Sequence, residues 1–187
     1  MASVLPFDEL NRFKSELPRF FDETGTRIKS RKDYDSLLDM LEDLLLLAYA
    51  QGNAVTNANL LSGWEPTLDD VGETVDAKVA GKTWRERVRE YFDNGGTVDD
   101  IARIAETETH RVSNTAALEA AKHGGATQKT WVTMMDDRVR ETHDYLEGIT
   151  VGIDDEFITY DGDRASAPGL FSLPQNNVNC RCELIFS

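Results

Sequence analysis

Basic charge is in short supply in this 187-residue sequence: Lys and Arg total 20 against 34 Asp and Glu, a formal net charge of −14. Phosphates would repel such a chain and little counterion release would follow, so non-specific DNA or RNA binding is excluded by default. Coating of an anionic membrane is excluded for the same reason. Long hydrophobic runs are also missing. The longest, Leu44 to Ala50, is far too short to span a bilayer. Met1 to Leu10 carries Asp8 and Glu9 and lacks a basic stretch followed by an apolar one, so no export signal is read there. Only two cysteines occur, Cys180 and Cys182, which excludes a disulfide framework. Synthesis and assembly in cytoplasm are expected.

Lysine is especially scarce: Lys14, Lys29, Lys32, Lys78, Lys82, Lys122 and Lys129, the other basic residues being Arg. Aspartates come in pairs, as at Asp69-Asp70, Asp99-Asp100, Asp136-Asp137 and Asp154-Asp155. This Asp-rich, Lys-poor texture is associated with high-salt cytoplasm, where self-repulsion is screened. An ordinary acidic protein is the alternative. With 40% hydrophobic residues, the chain has enough apolar matter for a core.

Residues 4–124 read as helices. Leu10, Phe13 and Leu17 follow at helical spacing, and Pro18 should restart the helix because it lacks an N–H. Asp33 or Ser36 is expected to open the strongest helix. Tyr34, Leu37, Leu38, Leu41, Leu44, Leu45, Ala48 and Tyr49 form its stripe, and Leu46 and Leu47 widen it as if it were contacted from two sides. It should reach about Leu61, before Gly63, Trp64 and Pro66 break the pattern. Thr67 with Asp70, and Thr97 with Asp100, have capping-box spacing. Leu68, Val71, Val75 and Val79 should form one apolar face, Thr83 to Phe92 another helix, and Thr97 to His123 the last. From Gln128 the character changes. Lys129 to Thr133 reads as a strand, Asp137 to Leu146 as a short helix, Ile149 to Val151 and Glu156 to Tyr160 as a strand pair, and Cys180 to Phe186 as a final strand. The expected fold is α+β: a helical region, 1–127, followed by a small C-terminal α+β module, 128–187.

Three constellations carry chemistry. Thr97 to Leu118 superficially resembles a helix-turn-helix, but the turn glycine is missing and Glu106 and Glu108 would meet phosphates, so one continuous helix is preferred. In Asp136-Asp137-Arg138-Val139-Arg140-Glu141-Thr142-His143, helical spacing would put Asp136, Arg140 and His143 near one face. His143 is read either as a general acid or base or, preferentially, as a residue that ties helix to sheet. In Asn179-Cys180-Arg181-Cys182, an extended backbone points both thiols one way. With His143 they make three ligands for a metal, Asp137 or Asp144 offering a fourth. A C-x-C pair is a weaker metal signal than C-x₂-C, and buried thiols without a metal or other cofactor are the preferred reading.

The same residues carry a family resemblance. Lys129-Thr130-Trp131, Asp137-Arg138-Val139-Arg140 with His143, Leu146-x-Gly148, Asp155-Glu156-Phe157, and Pro174 before Asn179-Cys180-Arg181-Cys182 occur in order. This set resembles the phage head morphogenesis, or minor head protein, family related to the F protein of phage Mu. Ala102 to Ala121 and Tyr49-Ala50-x-Gly52 resemble the family more loosely. The resemblance implies a virion component in few copies, inside the capsid or at the portal vertex, acting in head assembly and genome delivery. Its partners would be the portal protein, the major capsid protein or both; from the charge, no direct sequence-specific nucleic-acid binding and no membrane contact are expected. The family's module also occurs fused to toxin domains. A chain this short is expected to carry no such domain and to be no enzyme. Trp131, Asp137, Arg138, Arg140, His143, Asn179, Cys180 and Cys182 would fasten the module internally, and Phe13, Leu17, Phe20 and Phe21 would present an exposed apolar stripe to the partner. The competing reading is a small nuclease or toxin-like enzyme using His143 with Arg138 and Arg140 on phosphates.

Overall fold

A computed structural model describes residues 6–187 of the chain; positions 4 and 5 of the expected helical tract lie outside the described residues. Helix α1 runs Phe7–Glu16, with Asp8 and Glu9 in its first turn and Lys14 in its last, charges that complement the helix dipole. Pro18 restarts the chain as a 3₁₀ turn, Leu17–Phe20. Helix α2, Arg31–Leu60, opens neither at Asp33 nor at Ser36. Ser30 is its cap and accepts the Asp33 N–H, because a serine just outside the helix satisfies a free donor of the first turn. Leu61 ends it in the left-handed region. Helices α3, Leu68–Val75, α4, Trp84–Asp93, and α5, Val98–His123, each start with a capping box, Thr67 with Asp70, Thr83 with Glu86, and Thr97 with Asp100.

The apolar stripe of α2 packs Leu37, Leu41, Leu44, Leu45, Ala48 and Tyr49 into the main core. Leu46 and Leu47 are not contacted from a second side; both remain exposed. Leu68 is exposed as well, and Val79 leaves the α3 face to bridge with Lys82. The expected partner stripe is also corrected. Phe13, Leu17, Phe20 and Phe21 are buried in this core, at 3% exposure or less. The segment from α1 to the 3₁₀ turn folds back over α2 and α5, and Phe21 stacks on Phe92 at 5.8 Å, so the stripe is consumed inside the chain.

Helix α5 is unbroken, which removes the helix-turn-helix reading. It is buried on most of its circumference because helices cover one side and the C-terminal module the other. Polar residues on it are therefore internal. Arg111 donates to Glu108 and to the Thr74 and Val75 carbonyls, satisfying the end of α3, while Arg87 reaches the other Glu108 oxygen.

Strand β1, Gln128–Val132, is central to a three-stranded antiparallel sheet of order β2-β1-β5, with β2 at Thr150–Gly152 and β5 at Glu183–Phe186. Trp131 lies opposite Leu184. Strand β3, Phe157–Ile158, pairs with β4, Arg164–Ala165. The two segments expected to pair with each other thus belong to different sheets, since β1 was available to β2 and a tight turn brought β4 to β3. The final strand begins at Glu183, leaving Cys180 and Cys182 on irregular chain before it. Helix α6 is Glu141–Asp144, shorter than expected, because residues 136–139 form a turn in which the Asp136 carboxylate accepts the Arg138 N–H. Helix α7, Pro174–Asn177, precedes the cysteines. A second core gathers Leu118 of α5 with Trp131, Leu146, Phe157, Phe171, Cys180, Cys182 and Leu184. Among the described residues no helix is long and apolar enough to cross a membrane.

Candidate functional site

The C-terminal module buries a histidine against two thiols. Cys180 and Cys182 are both buried, while Arg181 between them reaches the exposed Asp136. Their sulfurs lie 3.6 and 3.4 Å from His143 Nδ1. All three side chains are buried, at 3% exposure or less. The histidine ring stacks near Phe171 at 5.4 Å and meets Trp131 edge-on at 5.3 Å; Trp131 in turn contacts Phe157 and Phe171. Structure thus brings Trp131, His143, Cys180 and Cys182 into one cluster. The cysteines are free thiols.

The cysteine segment is held from both sides. Arg181 makes a two-pronged pair with Asp136, at 2.8 and 2.6 Å. Asn114 on α5 donates to the Cys182 carbonyl, and Thr107 accepts the Asn179 N–H. Asn179 sits at φ +57°, a left-handed position that asparagine tolerates better than most residues. Arg140 spends its guanidinium on the carbonyls of Gln175 and Val178, tying the start of α6 to the end of α7. Asp137 is exposed and makes no side-chain hydrogen bond with the described residues. Arg138 is exposed too, bordering a recess of about 10 Å³ beside the cluster.

The thiols behave as a pair. A hydrogen bond from Cys182 holds Cys180 well below the ordinary thiol range; burial opposes this and the neighbouring His143 assists it. Cys182 is pushed up by the same hydrogen bond and by burial, so it keeps the shared proton. Asp136 is held below the usual carboxylate range, first by Arg181.

This geometry does not serve phosphate chemistry. His143 is sealed by aromatics, Arg140 is committed to backbone carbonyls, and the recess has room for about one water-sized atom, not a phosphodiester.

Some organising residues were not singled out by sequence. Asp163, read only as part of a turn, accepts hydrogen bonds from Arg164, Ser172, Leu173 and Asn176. Asn177 exchanges two hydrogen bonds with the Phe171 backbone. The Asn176-Asn177 pair beside Pro174 was the available signal. Lys129 is fully buried, its ammonium 5.7 Å from the Phe157 ring centre.

Residues 48–185 match the family described as phage Mu protein F like protein. The chain is 33% identical over 85 residues to the minor head protein of Bacillus phage SPP1, covering 44% of this chain and 28% of that protein. It is 31% identical over 151 residues to an NAD(+)-arginine ADP-ribosyltransferase of Enterococcus faecalis, covering 63% of this chain and 31% of that protein. It therefore spans less than a third of the length of either curated relative. No solved structure gives a significant match. With the family match reaching from the middle of α2 to β5 and taking in the whole histidine–thiol cluster, this chain belongs to the phage Mu protein F like family.

Proposed function

We propose that this chain is a minor head protein of a tailed virus, placed inside the capsid or at the portal vertex and acting in head assembly and genome delivery. The observation that carries this reading is the family match over residues 48–185, supported by the likeness to the SPP1 minor head protein. Its partners are the portal protein, the major capsid protein or both. The chain works as a structural adaptor rather than an enzyme. Its best-organised cluster of reactive side chains is sealed, and Trp131, Arg140, His143, Asn179, Cys180 and Cys182 fasten the module rather than face a substrate. The net charge of −14 keeps it from gripping packaged DNA electrostatically.

A mass-spectrometric inventory of purified virions and empty heads tests this. The protein is expected in few copies per head; its absence from both particles overturns the reading. The transferase relative calls for a separate assay. Incubation of the purified chain with labelled NAD⁺ and an arginine-containing acceptor is expected to transfer no label, and transfer would restore the enzyme class.

A further inference from the structure

The histidine–thiol cluster has dimensions that buried core thiols do not require. We propose that His143 Nδ1, Cys180 Sγ and Cys182 Sγ form a binding site for one borderline-soft divalent cation of the Zn²⁺ class.

The donor spacing matches that of a bound ion. Zinc binds sulfur at about 2.3 Å and imidazole nitrogen at about 2.05 Å, so a tetrahedral centre has a sulfur–nitrogen edge of about 3.5 Å. The two edges here are 3.4 and 3.6 Å, and all three donor atoms lie within 4.8 Å of one another. The same ring nitrogen faces both sulfurs, as convergent ligands require. Charge balances as well. Two thiolates neutralise a divalent cation, so the filled site carries no net charge into the second core, where an unpaired ion would be costly. The donor set selects the cation. Two sulfurs and an imidazole suit zinc, whereas magnesium and calcium seek oxygen ligands.

The surroundings hold the ligands in place. Asn114 and Thr107 on α5 hold the cysteine-segment backbone, the Asp136–Arg181 pair anchors its side chain, and the rings of Trp131 and Phe171 pack against the imidazole. Such supporting contacts orient ligands before a metal arrives. The recess of about 10 Å³ is lined by all three ligand residues together with Met134, Val139, Asn179 and three arginines, Arg138, Arg140 and Arg181; Arg181 is paired with Asp136 and Arg140 donates to backbone carbonyls. The recess offers room for a water as fourth ligand, the arrangement of a three-residue zinc site. Binding exchanges thiol protons for metal: each protonated sulfur releases one proton as its bond to the cation forms.

The full chain, reduced and stripped of metal with a chelator, is titrated with Co²⁺ and then Zn²⁺. One equivalent of Co²⁺ is expected to give thiolate-to-cobalt charge-transfer absorption with tetrahedral visible bands, lost again on adding one equivalent of Zn²⁺. Zn²⁺ should also raise the melting temperature and protect both cysteines from alkylation. Cys182→Ser should weaken binding more than about 100-fold, beyond what a change in the supporting contacts produces. Should that variant fail to fold, thiol protection in the unmutated chain decides. A folded, stripped chain that takes up no Co²⁺ and alkylates equally fast with and without Zn²⁺ overturns the proposal, as does a folded Cys182→Ser chain that binds unchanged.

Discussion

Asp163 shows how one side chain can organise a loop-rich module. Its Oδ1 accepts the Arg164 and Ser172 N–H groups and the Ser172 hydroxyl; its Oδ2 accepts the Leu173 N–H and the Asn176 amide. Burial works against its ionisation, but the hydrogen bonds from Asn176 and Ser172 and the backbone outweigh it and hold the carboxyl below its ordinary range. A lowered folded-state pKa contributes stability that is complete above the unfolded value, about 3.9, and is lost as pH falls through the folded value. Asp163→Ala should cost about 3 kcal/mol at neutral pH by denaturant unfolding, with the gap to the unmutated chain narrowing below about pH 4. Lys129 is the opposite case. Burial pushes its ammonium down to about 8. The unfolded chain then binds more protons between about 8 and 10.4, so stability rises with pH over that window and the cost of burial is fully present below it. Lys129→Met should raise stability at pH 7 by on the order of 2–3 kcal/mol and flatten that rise, as unfolding curves from pH 7 to about 10.5 would register. Neither role was legible beforehand. A turn aspartate looks the same whether it faces water or backbone N–H groups, and strand alternation cannot tell whether a lysine or its neighbours face inward.

At the scale of elements, the pairing of α2 with α5 depends on Gly52. A Cβ added there would lie 2.2 Å from the Ser113 carbonyl oxygen, on rigid helical backbone that cannot swing aside. Gly52→Ala should force the helices apart and cost at least about 2 kcal/mol, roughly 4–8 °C in Tm, which a thermal melt measures directly. The capping boxes at Thr67 and Thr97 were legible because they are local: the partners are three residues apart, and no distant segment is needed to form them. The true start of α2 at Ser30 was missed because Asp33 and Ser36 carry the same capping chemistry a few residues on. The polar lining of α5 was missed for a different reason. Glu108, Arg111 and Asn114 look like solvent-facing residues until α3, α4 and the cysteine segment supply their partners.

Across the whole molecule, the excess of 14 negative charges sets a self-repulsion that salt relieves. Raising KCl from about 0.1 to 1 M shortens the Debye length from about 10 to 3 Å, so Tm should rise across that range; an unchanged melting curve would remove the high-salt reading of the composition. The order of helices followed by a small sheet module was readable from apolar period, caps and the glycine breaks near 95 and 124. So was family membership, through an ordered run of residues from Trp131 to Cys182. Sequence alone determined these because they rest on spacing within a segment. Only the tertiary structure decided that the stripe of Phe13, Leu17, Phe20 and Phe21 is core rather than surface. It also decided that β2 joins β1 rather than β3, and that His143 Nδ1 meets thiols 37 and 39 residues away. Periodicity reports which side chains share a face; what covers that face is settled when distant segments close on one another and compete for the same apolar surface.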